Sequence, residues 1–126
     1  MRLALIVSAI LALVFGVLFY LVPAQAVASF GVMADQSMQH MTRNYGSALI
    51  GLAALAWFAR NAPDSVARRA IFLGLFVYFT LGSISIALFQ LTGIPNVGGW
   101  FPFAFHVPLA IAFGYFLFAN RGAPAG

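Results

Sequence analysis

The chain reads as an all-α membrane protein, a single domain of four transmembrane helices arranged as two antiparallel hairpins in a bundle. Three observations predict this. Hydrophobic residues fill 63% of the 126 positions and charged residues 6%, with a mean hydropathy of +1.01. A soluble domain carries about 25% charge, and so few charges cannot cover a globule with polar surface. The apolar residues fall in long runs, several near the ~20 residues that cross ~30 Å of hydrocarbon. The charges sit at the ends of those runs: six arginines against Asp35 and Asp64, with no lysine and no glutamate.

The first span covers approximately residues 3–22. Within it Ser8, Ala12 and Gly16 recur every fourth residue, a small-residue stripe that lets a second helix approach closely. Arg2, the apolar run and Ala24-Gln25-Ala26 also read as a secretory signal with a cleavage site. The run exceeds the ~7–15 residues of a signal's apolar region, so retention is expected. Pro23 ends the helix.

Residues 27–42 mix Phe30, Met33, Met38 and Met41 with Asp35, Gln36, Gln39 and His40. Such a segment is expected to lie partly at the membrane surface. The second span is short if it is bounded by arginines. Only residues 44–59 separate Arg43 from Arg60, about 24 Å of helix. The helix is therefore expected to start near Asp35, an N-cap residue, and to span about 36–60. Gln36, His40, Arg43, Ser47 and Gly51 then share one face. Those residues are read either as headgroup-level side chains that snorkel or as a polar stripe entering one half of the membrane.

Arg60-Asn61-Ala62-Pro63-Asp64-Ser65 forms the turn, with Asp64 or Ser65 capping the third helix. Arg68 and Arg69 occupy that helix's first turn, the unfavourable end for a cation, so topology explains them better than helix stability does. The third span covers about 69–91. Thr80, Ser83, Ala87 and Gln90 fall on one stripe, expected to face the bundle. A glycine-rich loop with Pro95 and Asn96 follows, and Trp100 marks the interface. The fourth span covers about 100–120 and repeats His106, Ala110 and Gly114 every fourth residue.

Four spans put both termini on one side. Arg2, Arg60, Arg68, Arg69 and Arg121 fall on that side and Arg43 alone on the other, so the positive-inside rule makes the termini cytoplasmic, in a cell membrane. Several chemistries are disfavoured. No aspartate or glutamate lies within a span, as a proton-coupled exporter requires. No nucleophile elbow, phosphate loop or carboxylate pair is present, and no basic-aromatic patch suits nucleic acid. The absence of cysteine removes disulfide and thiolate chemistry.

Four polar residues remain in the outer half: His40, Arg43, Gln90 and His106. An intramembrane histidine is a functional candidate by default. The bland reading of His106 is a histidine bonded to Gln90, Thr80 or a backbone carbonyl freed by Pro102 or Pro108. The sharper reading is a ligand-binding pocket for a lipid or quinone head group. Two histidines on different helices also suit a haem iron, but two alone make a weak metal set, and no metal site is assigned. The fourteen phenylalanines are read as core and lipid-facing filler before any ring-binding box.

The run R-x-Y-G-x-x-L-x-G-L-x-x-x-x-W-x-A-R-N, continued by S-x-A-R-R-A, is carried by Arg43, Tyr45, Gly46, Gly51, Trp57, Arg60, Asn61, Arg68 and Arg69. It resembles small bacterial four-span membrane proteins, DoxX-like families and neighbouring families of unknown function. The resemblance covers the middle of the chain. It implies four helices in a bacterial inner membrane and no settled activity, although DoxX itself is associated with a quinone-linked oxidoreductase. The first functional expectation is a non-catalytic accessory or assembly subunit that packs against other membrane proteins or itself. The second is a lipid- or quinone-binding subunit of a membrane oxidoreductase, and the third a small dimeric channel or transporter.

Overall fold

The computed structural model describes residues 1–93 and 97–119, and among these every regular element is helical. The helices are α1 (Arg2–Leu21), α2 (Pro23–Ala28), α3 (Gln36–Ala59), α4 (Val66–Gln90) and α5 (Trp100–Ala119), with a 3-10 turn at Val97–Gly99 leading into α5. Helices α1 and α4, and α5 with its leading turn, are long and apolar enough to cross a membrane. Helix α3 has 24 residues, about 36 Å, but its first half carries Gln36, Gln39, His40, Arg43 and Asn44. Pro95 and Asn96 of the predicted loop, and Arg121 with the tail, lie outside the described residues.

Local chemistry sets the boundaries. Pro23 opens α2 at its first helical position, where a missing N–H costs nothing. Asp35 caps α3, its carboxylate accepting the Met38 N–H at 2.8 Å. Ser65, rather than Asp64, caps α4 by accepting the Arg68 N–H at 3.2 Å. Gly93 follows the end of α4 at φ +75°, a conformation that a side chain would strain.

Helix α1 lies along α3, and α4 lies along α5; across these pairs α1 meets α5, and α3 meets α4, over much less of their length. The α1–α3 contact is backbone to backbone. A Cβ on Gly46 would sit 2.7 Å from the Gly16 carbonyl oxygen, and one on Gly16 would sit 2.9 Å from the Gly46 carbonyl oxygen. Along α4 and α5, Phe76 packs over Gly114, and His106 packs over Gly82. The predicted stripes on α1 and α5 are therefore contact faces.

The stripe predicted on α4 is offset. Phe72, Leu75 and Phe79 are the buried residues of α4, and Gly82, Ile86 and Phe89 continue that face toward its C-terminus. Thr80, Ser83, Ala87 and Gln90 are half-buried along its edge. The Ser83 hydroxyl donates to the Phe79 carbonyl at 2.7 Å, within its own helix. Gly82 is the position that admits a neighbour. Bulk decides the rotation, because Phe72 and Phe79 pack their rings against Phe113 and small polar residues cannot outweigh that contact.

The two ends of the bundle differ. Leu5 and Ala9 of α1, Ala56 and Ala59 of α3, Phe72, Leu75 and Phe79 of α4, and Leu109 and Phe113 of α5 form one core. All lie toward the end that carries the 60–69 turn. Toward the other end the helix pairs separate, and no comparable core fills the space.

Candidate functional site

The separated end holds a partly open cavity of about 500 Å³. Every helix contributes to it. Phe15 and Phe19 of α1, Tyr45 and Leu49 of α3, Gly82 of α4 and Phe105 of α5 are among its walls, with Val27, Phe30 and Val32 covering it from α2 and the loop beyond. Phe30 is held there edge-on against Phe19, with ring centroids 6.2 Å apart. The 27–35 segment, expected at the membrane surface, thus also serves as a cover.

Few polar groups reach the cavity. Tyr45 of α3 and Tyr78 of α4 join their hydroxyls at 2.7 Å. This is a polar tie between the two helix pairs where their other contacts are sparse. One phenolic proton lies in that bond, and the second is left over for another acceptor. Ser85 and His106 also line the space.

The imidazole of His106 is fixed on three sides. Its Nδ1 donates to the Pro102 carbonyl, one turn earlier, at 2.8 Å. Its face and edge lie against Tyr78 and Phe79, at centroid distances of 5.6 and 5.3 Å. Its Cδ2–Nε2 edge lies over Gly82, where a Cβ would come within 2.6 Å of Cδ2. A carbonyl oxygen only accepts, so the proton is on Nδ1. In the neutral ring Nε2 then carries a lone pair, and it has no partner among the described residues.

Of the four polar residues singled out by sequence, His106 alone lines the cavity. His40 is exposed on α3 and hydrogen-bonded to Asn44 at 3.3 Å. Arg43 is exposed on the same helix. Gln90 lies at the end of α4 with its amide against Gly99, where a Cβ would be 2.9 Å from Cδ. The two histidines do not share one cavity, and His106 engages none of its anticipated partners: it bonds the Pro102 carbonyl one turn earlier on its own helix, whereas a proline frees the carbonyl four residues before it. Tyr45, Tyr78 and Gly82 were not singled out as site residues. For Tyr78 a sequence signal is nonetheless present: tyrosines ordinarily sit in interfacial belts, this one sits mid-helix and half-buried, and a phenol so placed needs a partner.

Comparison with protein-family models, with curated proteins and with solved structures finds no match to this chain.

Proposed function

We propose that the protein is a four-span integral membrane protein that holds a lipid-soluble ligand, with an apolar body and a small polar head, in the outer half of its bundle. The cavity carries this reading. Its volume of about 500 Å³ falls within the ~300–1,000 Å³ of ordinary ligand sites, and a few convergent polar groups stand in apolar walls. Helix α3 is the fourth crossing, since it is as long as its neighbours and lies along α1 through the Gly16–Gly46 contact. The paired helices form two antiparallel hairpins. The arginine distribution sets the termini and the 60–69 turn in the cytoplasm of a bacterial inner membrane. A lipid or quinone head group is the class of ligand such a site admits, and the site binds rather than catalyses.

The test is extraction. Protein purified in mild detergent is expected to retain a lipophilic compound detectable by native mass spectrometry. Ser85→Trp, which places bulk in the cavity wall at an exposed position of α4, is expected to lose it while remaining folded. Protein that retains nothing and binds no added lipophile overturns the reading.

A second reading has its own observation. Gly51 on α3 and Gly74 on α4 have nothing within 4 Å of a built Cβ. Two open glycines offer close-approach positions to another membrane helix, as in an accessory subunit packed against a partner protein or a second copy. Crosslinking from cysteines placed beside Gly51 and Gly74 in native membranes is expected to capture a neighbour on this reading; no adduct from either position counts against it.

A further inference from the structure

We propose that the cavity's ligand carries a hydroxyl group on an aromatic ring, and that Nε2 of His106 accepts the hydrogen bond from that hydroxyl. The proposal rests on reading the cavity as a ligand site and names the head group it takes.

The acceptor follows from the tautomer. The Pro102 carbonyl holds the Nδ1 proton, and no aspartate or glutamate lines the cavity to balance a second proton on the ring. An isolated charge in apolar surroundings is costly. The ring is therefore neutral, and Nε2 is an acceptor held in place by Gly82 and Phe79. A ligand head bearing carbonyls alone offers Nε2 nothing, because two acceptors do not bond. A hydroxyl satisfies it.

The same hydroxyl suits a second polar group of the cavity. The Tyr45–Tyr78 pair keeps one proton outside its mutual bond. A hydroxyl oxygen that donates to Nε2 keeps lone pairs of its own, so the same group is able to accept from a tyrosine.

The ring follows from the walls. Phe15, Phe19, Phe30, Tyr45, Phe89 and Phe105 are among the lining residues. Flat walls of this kind pack flat ligands in offset or edge-on contact. The aromatic walls come from both helix pairs, α1–α3 on one side and α4–α5 on the other.

The experiment uses the full-length protein in detergent with four probes that share one alkyl tail. These are para-hexylphenol, its methyl ether, hexylbenzene and para-hexylcyclohexanol, each titrated by calorimetry. The phenol is expected to bind roughly three- to tenfold more tightly than the methyl ether and hexylbenzene, the factor one net hydrogen bond supplies. It is expected to bind more tightly than the cyclohexanol as well. In His106→Phe, which keeps a ring and removes the acceptor, the phenol's advantage over the ether is expected to vanish. In Tyr78→Phe, which leaves Nε2 in place, it is expected to persist in part. The comparison on the unaltered protein stands even if a variant fails to fold. If the four probes bind alike, or the ether matches the phenol, the head-group assignment is overturned and the cavity remains a ligand site. If the cyclohexanol matches the phenol, the ring assignment falls. If none binds, the ligand-site reading falls with it.

Discussion

Single residues show where the sequence speaks about chemistry and where it falls silent. His106 was legible, because an ionisable group in an apolar helix is costly unless something requires it. Its environment was not. Gly82 and Tyr78 acquire meaning from α5 and α3, and no periodicity within α4 names the helix that will face it. His40 and Arg43 share a predicted face with Ser47 and Gly51, yet they are exposed, since Thr42, Gly46, Leu49, Ala53, Ala56 and Ala59 are the residues α3 buries. Two residue-scale predictions follow from geometry. Gly82→Ala puts a methyl group 2.6 Å from His106 Cδ2; the ring must leave the Pro102 carbonyl or the helices must part. Overpacking of this kind costs about 1–3 kcal/mol, and thermal unfolding in detergent is expected to show the loss together with weakened ligand retention. Ser8 is the opposite case. It is 1% exposed, and its hydroxyl has no hydrogen-bond partner among the described residues. Ser8→Ala removes an unpaired buried group and is expected to leave stability unchanged or raise it by about 1 kcal/mol. A drop larger than that would mean the hydroxyl is bonded.

At the scale of elements, caps and stops were the most legible features. Pro23, Asp35 and Ser65 each act through a local backbone group, so a short window contains the whole cause. Faces were harder. In water a buried stripe is apolar and its opposite is not; in lipid both sides are apolar, and small or weakly polar residues give an ambiguous mark. On α1 that mark was reliable because Gly16 permits backbone contact. On α4 the rings of Phe72 and Phe79 overrode it. Close contact also predicts which glycines tolerate change. Gly46→Val forces a branched side chain onto the Gly16 carbonyl and the Tyr20 backbone nitrogen. Neither can move aside as a side chain does, so a loss of about 2 kcal/mol or more is expected. Gly74→Ala meets nothing within 4 Å and adds a better helix former, so its unfolding temperature is expected to hold or rise. Equal losses for both would show that the α1–α3 crossing is not where the bundle is tightest.

The whole molecule joins a packed end to an open one, and on the proposed topology the packed end faces the cytoplasm. The packed core of Leu5, Ala56, Phe72 and Phe113 lies beside the 60–69 turn, and the cavity lies beside the cover at 27–35. Composition made the all-helical class legible from the first, because only helices and closed barrels satisfy backbone groups in lipid. The number of crossings is less direct, and it turns on α3. Its C-terminal half is as apolar as any span, while its N-terminal half carries His40, Arg43 and Asn44 on exposed positions. If α3 crosses, those side chains reach the outer headgroups from the last turns of hydrocarbon, as long polar side chains do. If it lies along the surface, the segment before it and the turn after it are on the same side. A topology reporter inserted after Ala34 and another after Asn61 distinguish the two arrangements. Ala34 precedes the Asp35 cap, and Asn61 lies in the turn beyond α3, so neither insertion interrupts a helix. With α3 crossing, Ala34 reports the outside and Asn61 the cytoplasm. By the positive-inside rule the three arginines at 60, 68 and 69 favour a cytoplasmic turn in either case. A cytoplasmic signal at Ala34 would therefore reduce the crossings and place the mouth of the cavity, with Phe30 and Tyr45, on the opposite side of the membrane from the one proposed.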